Sequence, residues 1–128
     1  MRLPVPVPLA IAIGGATGSL ARYALSTWVT SSAGVGGAGT FAVNLLGALL
    51  IGVILGAVES RYTETPRWLT LGLTTGILGG FTTFSAFAYD AIAHVEAGDT
   101  RLAIAYVIGT VVLGIAAAAG GLALGRSL

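Results

Sequence analysis

The sequence predicts an all-α membrane protein with four transmembrane helices and a break in the third. Hydrophobic residues make up 55% of the 128 positions and charged residues only 9%, whereas soluble domains carry about 25% charged residues. Polar turn clusters divide the apolar sequence into four stretches. Because a span needs roughly 20 residues, the length allows about four spans with short connections and leaves no room for a soluble domain.

The turn clusters set the predicted bounds of the four elements. Residues 31–34, with sequence SSAG, end the first apolar stretch, and Glu59, Ser60 and Arg61 end the second. Pro66 stands just before the third stretch, which is a common start for a helix. The polar residues 96–101 separate the third stretch from the fourth. We therefore expect one transmembrane domain over residues 1–128, with spans at about 7–30, 37–58, 68–94 and 102–124.

The third stretch contains the least helix-like apolar sequence of the chain, GGFTTFSAF at residues 79–87. Gly is a weak helix former and Thr is β-branched, so both favour a departure from regular helix. Irregular backbone at membrane depth survives only where protein or a water-filled cavity covers it. The pattern predicts a broken helix that helps build an ion site; a kinked packing helix without an ion function is the alternative. Carbonyl oxygens freed near the break could coordinate Na+, although a water-filled kink would free them equally.

Many of the 20 glycines are spaced four apart, which predicts close approach of helix backbones. The glycine pairs are Gly14 and Gly18, Gly52 and Gly56, Gly72 and Gly76, Gly76 and Gly80, and Gly121 and Gly125.

Four short spans offer little wall for a pore, so we also expect an oligomer.

Composition excludes several classes of function. The chain has no Cys, which excludes disulfides, thiol catalysis and thiolate metal sites. The single His94 cannot form a zinc site alone, and we expect no enzymatic activity. Without a basic tract we also expect no nucleic-acid partner; the expected surroundings are membrane lipid.

Polar side chains inside the spans are functional candidates by default. Thr40 and Asn44 lie four residues apart and share a helix face; Phe84 and Phe87 can stack along another. The remaining candidates are Thr82, Thr83 and Ser85 in the third span and Tyr106 and Thr110 in the fourth.

These groups form a sparse track of hydroxyl and amide donors, beside rings whose edges are electropositive. Donors without a fixed countercharge suit a small anion that must exchange its hydration shell and still leave. Interhelical hydrogen bonds and plain ring packing are the alternatives.

Acidic residues argue against a proton-coupled cation pump. Such a pump needs a carboxylate inside a span, whereas the five acids lie at loops or helix ends, with Asp90 the least clear. The arginines give a modest orientation bias: Arg2, Arg61, Arg67 and Arg126 fall on one side, and Arg101 with Arg22 on the other. The bias favours a cytoplasmic N-terminus but permits insertion both ways.

Three motifs in order resemble the Fluc fluoride channels, also called the CrcB family, over nearly the whole chain. They are GGATGSLARY at residues 14–23, GTFAVNLLG at 39–47 and GGFTTFSAF at 79–87. The resemblance implies a passive, fluoride-selective channel in the cell membrane, which expels cytoplasmic fluoride. It also implies an antiparallel, dual-topology homodimer with two pores and a central structural Na+.

The resemblance assigns roles to individual residues. Phe84 and Phe87 correspond to pore phenylalanines whose ring edges face fluoride, and Asn44 to a pore asparagine beside them. Arg22 corresponds to a vestibule arginine, and Gly79 and Thr82 to the residues whose carbonyls hold Na+. Gly114 stands where the family has a further hydroxyl. The rest of the implied pore lining is Thr40, Thr83, Ser85, Tyr106 and Thr110.

Two other classes of function stay open at this point. A proton-coupled fluoride antiporter or another small dual-topology transporter would use similar donors but couple flux to protons. A purely structural membrane subunit would conduct nothing, and it would leave Asn44 and the Thr82 to Ser85 run without a reason.

Overall fold

A computed structural model describes residues 5–128 as a bundle of helices joined by short turns. Arg2, which the orientation argument counts, lies outside the described residues. Helix ends fall within three residues of the predicted spans at 7–30, 37–58, 68–94 and 102–124. The helices are α1 (Val7–Ala33), α2 (Ala38–Ser60), α3 (residues 67–81), α4 (Phe84–Glu96) and α5 (Thr100–Ser127).

Three helical stretches of the described chain are long and apolar enough to cross a membrane: Ala38–Ser60, Arg67–Glu96 and Thr100–Ser127. The chain is therefore an all-α membrane protein. Helix α1 is not among the three, although it has 27 residues. Its glycines and its polar residues Thr17, Ser19 and Arg22 lower the hydropathy of the segment.

Glycines let α2 and α5 pack backbone against backbone. A Cβ atom at Gly52 would collide with the Ala118 carbonyl of α5, and one at Gly121 would collide with the Leu49 carbonyl of α2. Gly56 and Gly125 repeat this arrangement one turn further along. The predicted close approach is thus confirmed for these two glycine pairs.

Helix α3 contains a π-helical segment, Gly72–Leu78, between short α-helical ends Arg67–Leu71 and Gly79–Phe81. In the π form each N–H donates to the carbonyl five residues earlier, as Gly79 does to Thr74. Because a π-helix has more residues per turn than an α-helix, residues four apart in the sequence lie more nearly in line along one face of the helix. The π-helix therefore brings Gly72, Gly76 and Gly80 together as one strip against α1.

The contacts along this strip are tight. Cβ atoms at Gly76 and Gly80 would come 3.1 Å from the Ile11 carbonyl oxygen and 2.5 Å from the Gly15 carbonyl oxygen, respectively. On the α1 side, a Cβ at Gly14 would approach the Gly72 carbonyl. The strip fixes the position of α3, and with it the residues at its end.

Residues Thr82 and Thr83 are extended, with ψ angles of 157° and 118°, and they separate α3 from α4. The Thr83 hydroxyl starts α4 by accepting the Ala86 N–H at 3.2 Å, a side-chain N-cap. The two helices are therefore separate elements that meet at a short extended segment.

Candidate functional site

Asn44 binds the extended segment through both ends of its amide. Its Nδ2 donates to the Thr83 carbonyl at 3.0 Å, and the Thr83 N–H donates to its Oδ1 at 2.8 Å. Unpaired polar groups in apolar surroundings are costly. The Asn44 side chain thus replaces hydrogen bonds that the backbone loses where the helix stops.

The break redirects donors away from two carbonyls. In a continuous α-helix the N–H groups of Thr83 and Ala86 would donate to the carbonyls of Gly79 and Thr82. Here the Thr83 N–H donates to Asn44 and the Ala86 N–H to the Thr83 hydroxyl. The Gly79 and Thr82 carbonyls are therefore relieved of their α-helical partners, and hard carbonyl oxygens suit a cation such as Na+. Both residues line one open groove together with Asn44.

Arg22 places a positive charge at the same break. Its Nε donates to the Gly80 carbonyl at 2.9 Å and thereby ties α1 to the end of α3. The remaining guanidinium nitrogens are available to other acceptors, since Arg carries five N–H donors.

A second groove, of about 280 Å³, is lined by most of the predicted pore residues, and we call it the ring groove. The rings of Phe84 and Phe87 lie 5.6 Å apart between centroids, tilted by 55°. Phe87 is 8% exposed, whereas Phe84 is 78% exposed and projects from the surface. The other lining residues are Asn44, Thr82, Thr83, Thr110 and Val111.

Two hydroxyls in this region differ in their hydrogen bonding. The Ser85 hydroxyl lies 3.3 Å from the Thr83 hydroxyl and is exposed. The Thr110 hydroxyl is buried and has no partner within the described chain. A buried donor without a partner costs about 1–3 kcal/mol, so the Thr110 hydroxyl is suited to a ligand that accepts its proton.

Tyr106 connects the ring groove to a polar opening. Its ring lies 5.3 Å from the Phe87 ring, and its hydroxyl donates to the Asp90 Oδ2 at 3.2 Å. Asp90 and Thr40 line an open funnel of about 490 Å³, which is separate from the ring groove. We call this opening the polar funnel; its other lining residues are Ser26, Thr27, Thr30, Ser31, Gly36 and Gly37.

The structure thus divides the predicted residues among neighbouring places rather than along one uniform track. Phe84, Phe87, Thr83 and Thr110 share the ring groove with Asn44, while Thr40 lies in the polar funnel. The sequence reasoning assigned no role to Asp90. Its carboxylate lines the polar funnel and accepts a hydrogen bond from Tyr106, whose ring packs against Phe87 of the ring groove. The available signal was an acid within the apolar residues that precede His94.

Comparisons with known proteins all point to one family. A family model described as CrcB-like protein, Camphor Resistance (CrcB), matches residues 9–122. A protein named fluoride-specific ion channel FluC from Agrobacterium fabrum is 44% identical over 119 residues, 92% of this chain and 94% of that protein. Proteins of the same name from Chloroflexus aurantiacus and Thermus thermophilus are 43% identical over 119 residues and 42% identical over 122 residues. Those matches cover 92% and 94% of this chain, and 94% of each relative.

Proposed function

Because this chain belongs to the CrcB family, we propose that it is a fluoride-selective passive channel that exports cytoplasmic fluoride and so lowers its toxicity. It is a multi-pass cell membrane protein, and its family is one of channels and not of enzymes. The observation that carries the proposal is the ring groove, where Phe84, Phe87 and the unpartnered Thr110 hydroxyl meet beside Asn44.

The ring groove offers an anion two kinds of partner, namely the edges of aromatic rings and hydrogen-bond donors. Ring edges carry partial positive charge, and hydroxyl groups can replace water molecules of the hydration shell. The Asn44 amide has a second N–H besides the one that binds Thr83. None of the described residues that line this groove carries a fixed positive charge, so an anion would be bound weakly enough to leave again.

The exposed half of the ring groove supports a homodimer. A Phe ring that is 78% exposed contributes to only one open wall of a groove, and a second copy would supply the facing wall. We propose that two copies lie antiparallel with the break at the dimer interface, and that α1 also crosses the membrane, which gives each copy four spans. Two pores per dimer follow from that symmetry, and the modest arginine bias is compatible with dual topology.

A structural Na+ at the centre of the dimer fits the redirected backbone. The Gly79 and Thr82 carbonyls of each copy would hold it, since both have lost their helical donors. Bound Na+ would supply a fixed positive charge between the two breaks. Arg22, held on the Gly80 carbonyl, adds positive charge at the vestibule and would attract anions toward the pore.

The test is fluoride efflux from liposomes that contain the purified protein, with a potassium ionophore to carry the countercharge and chloride measured in parallel. We expect rapid fluoride release that requires the ionophore, with chloride retained. Release that follows a proton gradient without the ionophore would favour the antiporter or another small transporter. No release would favour a structural subunit.

The Na+ proposal has its own test. Crystals grown with a heavier monovalent cation should show an anomalous peak between the Gly79 and Thr82 carbonyls. A well-ordered dimer without such a peak would contradict the proposed site and leave the channel function standing.

A further inference from the structure

Tyr106 has one hydroxyl proton, and the structure shows where it goes. The proton is donated to the Asp90 carboxylate, 3.2 Å away across the α4–α5 contact. A phenol has one O–H donor, and an ionised carboxylate only accepts. While this bond is made, the Tyr106 hydroxyl can therefore present only lone pairs to an anion.

Tyr106 is nonetheless well placed to influence the ring groove. It is 8% exposed, and its ring packs against Phe87, the buried ring of the groove. The bond to Asp90 is longer than the usual range of about 2.5–3.0 Å for hydroxyl donors.

Asp90 faces the polar funnel, where its surroundings are mostly neutral. Helix α1 contributes only hydroxyls there, and the α1–α2 turn contributes Gly36 and Gly37. Gly37 is packed tightly, because a Cβ on it would lie 3.3 Å from both Asp90 and Tyr106. The other titratable groups nearby are Tyr106 on α5 and His94 on α4, whose Nε2 lies 2.9 Å from the Gly36 carbonyl oxygen.

We propose that Asp90 is a positioning residue for Tyr106. The ionised Asp90 carboxylate accepts the hydrogen bond of the phenol and so holds the phenol proton away from the fluoride path. A neutral carboxyl has its own O–H donor, so protonated Asp90 can donate to the phenol oxygen. The Tyr106 proton is then free to bind fluoride, and the negative charge in the polar funnel is gone. Fluoride conduction therefore increases as Asp90 is neutralised.

This inference rests on the proposed channel function, and current through planar bilayers tests it without interference from neutral HF, which carries no charge. Symmetric fluoride and symmetric pH make the result independent of channel orientation. Asp90→Asn removes the carboxylate charge and supplies an N–H that can donate to the phenol oxygen. We therefore expect its fluoride conductance to exceed that of the wild-type protein several-fold.

Three further variants separate the roles of neighbouring groups. Tyr106→Phe should remove most of the gain that Asp90→Asn produces, because Asp90 acts through the phenol. His94→Gln keeps a donor for the Gly36 carbonyl and should keep the wild-type conductance. Asp99→Asn removes one negative charge outside the polar funnel while retaining a good N-cap, and it should behave as wild type.

The proposal is overturned if Asp90→Asn has the wild-type conductance, or if its gain is undiminished in the Tyr106→Phe background. A His94→Gln protein with the raised conductance expected of Asp90→Asn would overturn it as well. Wild-type protein without any fluoride current would instead contradict the proposed channel function. The two failures are therefore distinguishable.

Discussion

At the scale of single residues, Asn44 has both a structural and a proposed functional role, because its side chain binds the Thr83 backbone and also lines the ring groove. The two hydrogen bonds to Thr83 hold the extended segment in place, and that segment orients the start of α4, where Phe84 and Phe87 lie. A substitution at position 44 should therefore change the positions of the two phenylalanine rings indirectly, through the Thr83 backbone.

Two variants, Asn44→Asp and Asn44→Ala, separate the effect of negative charge in the anion path from the effect of losing the hydrogen bonds to Thr83. The Asp variant replaces the Nδ2 donor by an oxygen that faces the Thr83 carbonyl, and it adds negative charge to the anion path. We expect it to reduce fluoride efflux from liposomes to background. The Ala variant leaves two backbone groups unpaired, each costing about 1–3 kcal/mol, and should lower the melting temperature as well. A conducting Asn44→Asp protein would place Asn44 outside the path.

Phe84→Ile tests the ring-edge role most cleanly, because the ring is 78% exposed in one subunit and its loss costs little packing there. We expect at least about tenfold slower fluoride efflux with the dimer intact. Phe87→Ile should slow efflux similarly but also destabilise the fold by about 1–3 kcal/mol, since a buried ring changes shape. Tyr89→Ile is the matched control, as an exposed aromatic on the same helix. Undiminished efflux in both Phe variants would remove the rings from the pore.

The sequence predicted which residue types matter at this scale but not their partners. Motif and spacing singled out the two phenylalanines and Asn44. They could not show that Asn44 binds the Thr83 backbone or that Asp90 accepts a hydrogen bond from Tyr106, because each contact joins residues from different segments of the chain. Partner choice of this kind depends on how helices approach one another, which local sequence does not determine.

At the scale of the helices, glycine strips decide which elements touch. Spacing alone predicted that glycines four apart would bring backbones together, and the α2–α5 contact follows that rule. The π-helix at Gly72–Leu78 was not predicted, because its hydrogen bonds reflect packing of α3 on α1 rather than a residue preference. The spacing of Gly72, Gly76 and Gly80 is compatible with either helix type until α1 is present.

Two adjacent glycines give a matched test of this packing. Gly121→Ala would drive a Cβ into the Leu49 carbonyl, whereas a Cβ at Gly120 meets nothing within 4 Å in the subunit. We expect Gly121→Ala to destabilise the protein by about 1–3 kcal/mol through overpacking. Gly120→Ala should be neutral or slightly stabilising, because Ala is the better helix former. Thermal unfolding in detergent measures the difference, and equal melting temperatures would refute the packing argument.

At the scale of the whole molecule, the single subunit leaves much apolar surface uncovered. Val43 is the only large side chain with under 2% exposure among the described residues, while many large apolar side chains of α2 and α5 are exposed. Lipid can cover such a surface, but lipid cannot complete a groove lined by Thr83, Thr110 and Phe87. Composition predicted the membrane and the short spans predicted an oligomer, but only the half-open groove indicates which surface the proposed second copy would cover.

An antiparallel dimer requires both insertion orientations in one membrane, and the chain is suited to test this because it has no Cys. Thr63→Cys puts one thiol in the exposed turn between α2 and α3. A membrane-impermeant maleimide should label about half of the protein in intact cells and all of it after permeabilisation. The modest arginine bias permits insertion both ways, since few charges distinguish the two ends. Complete or absent labelling in intact cells would mean one orientation and would contradict the antiparallel dimer. In that case the groove would have to be closed by a parallel copy or another chain, and the Gly79 and Thr82 carbonyls of two copies would no longer meet across a central axis.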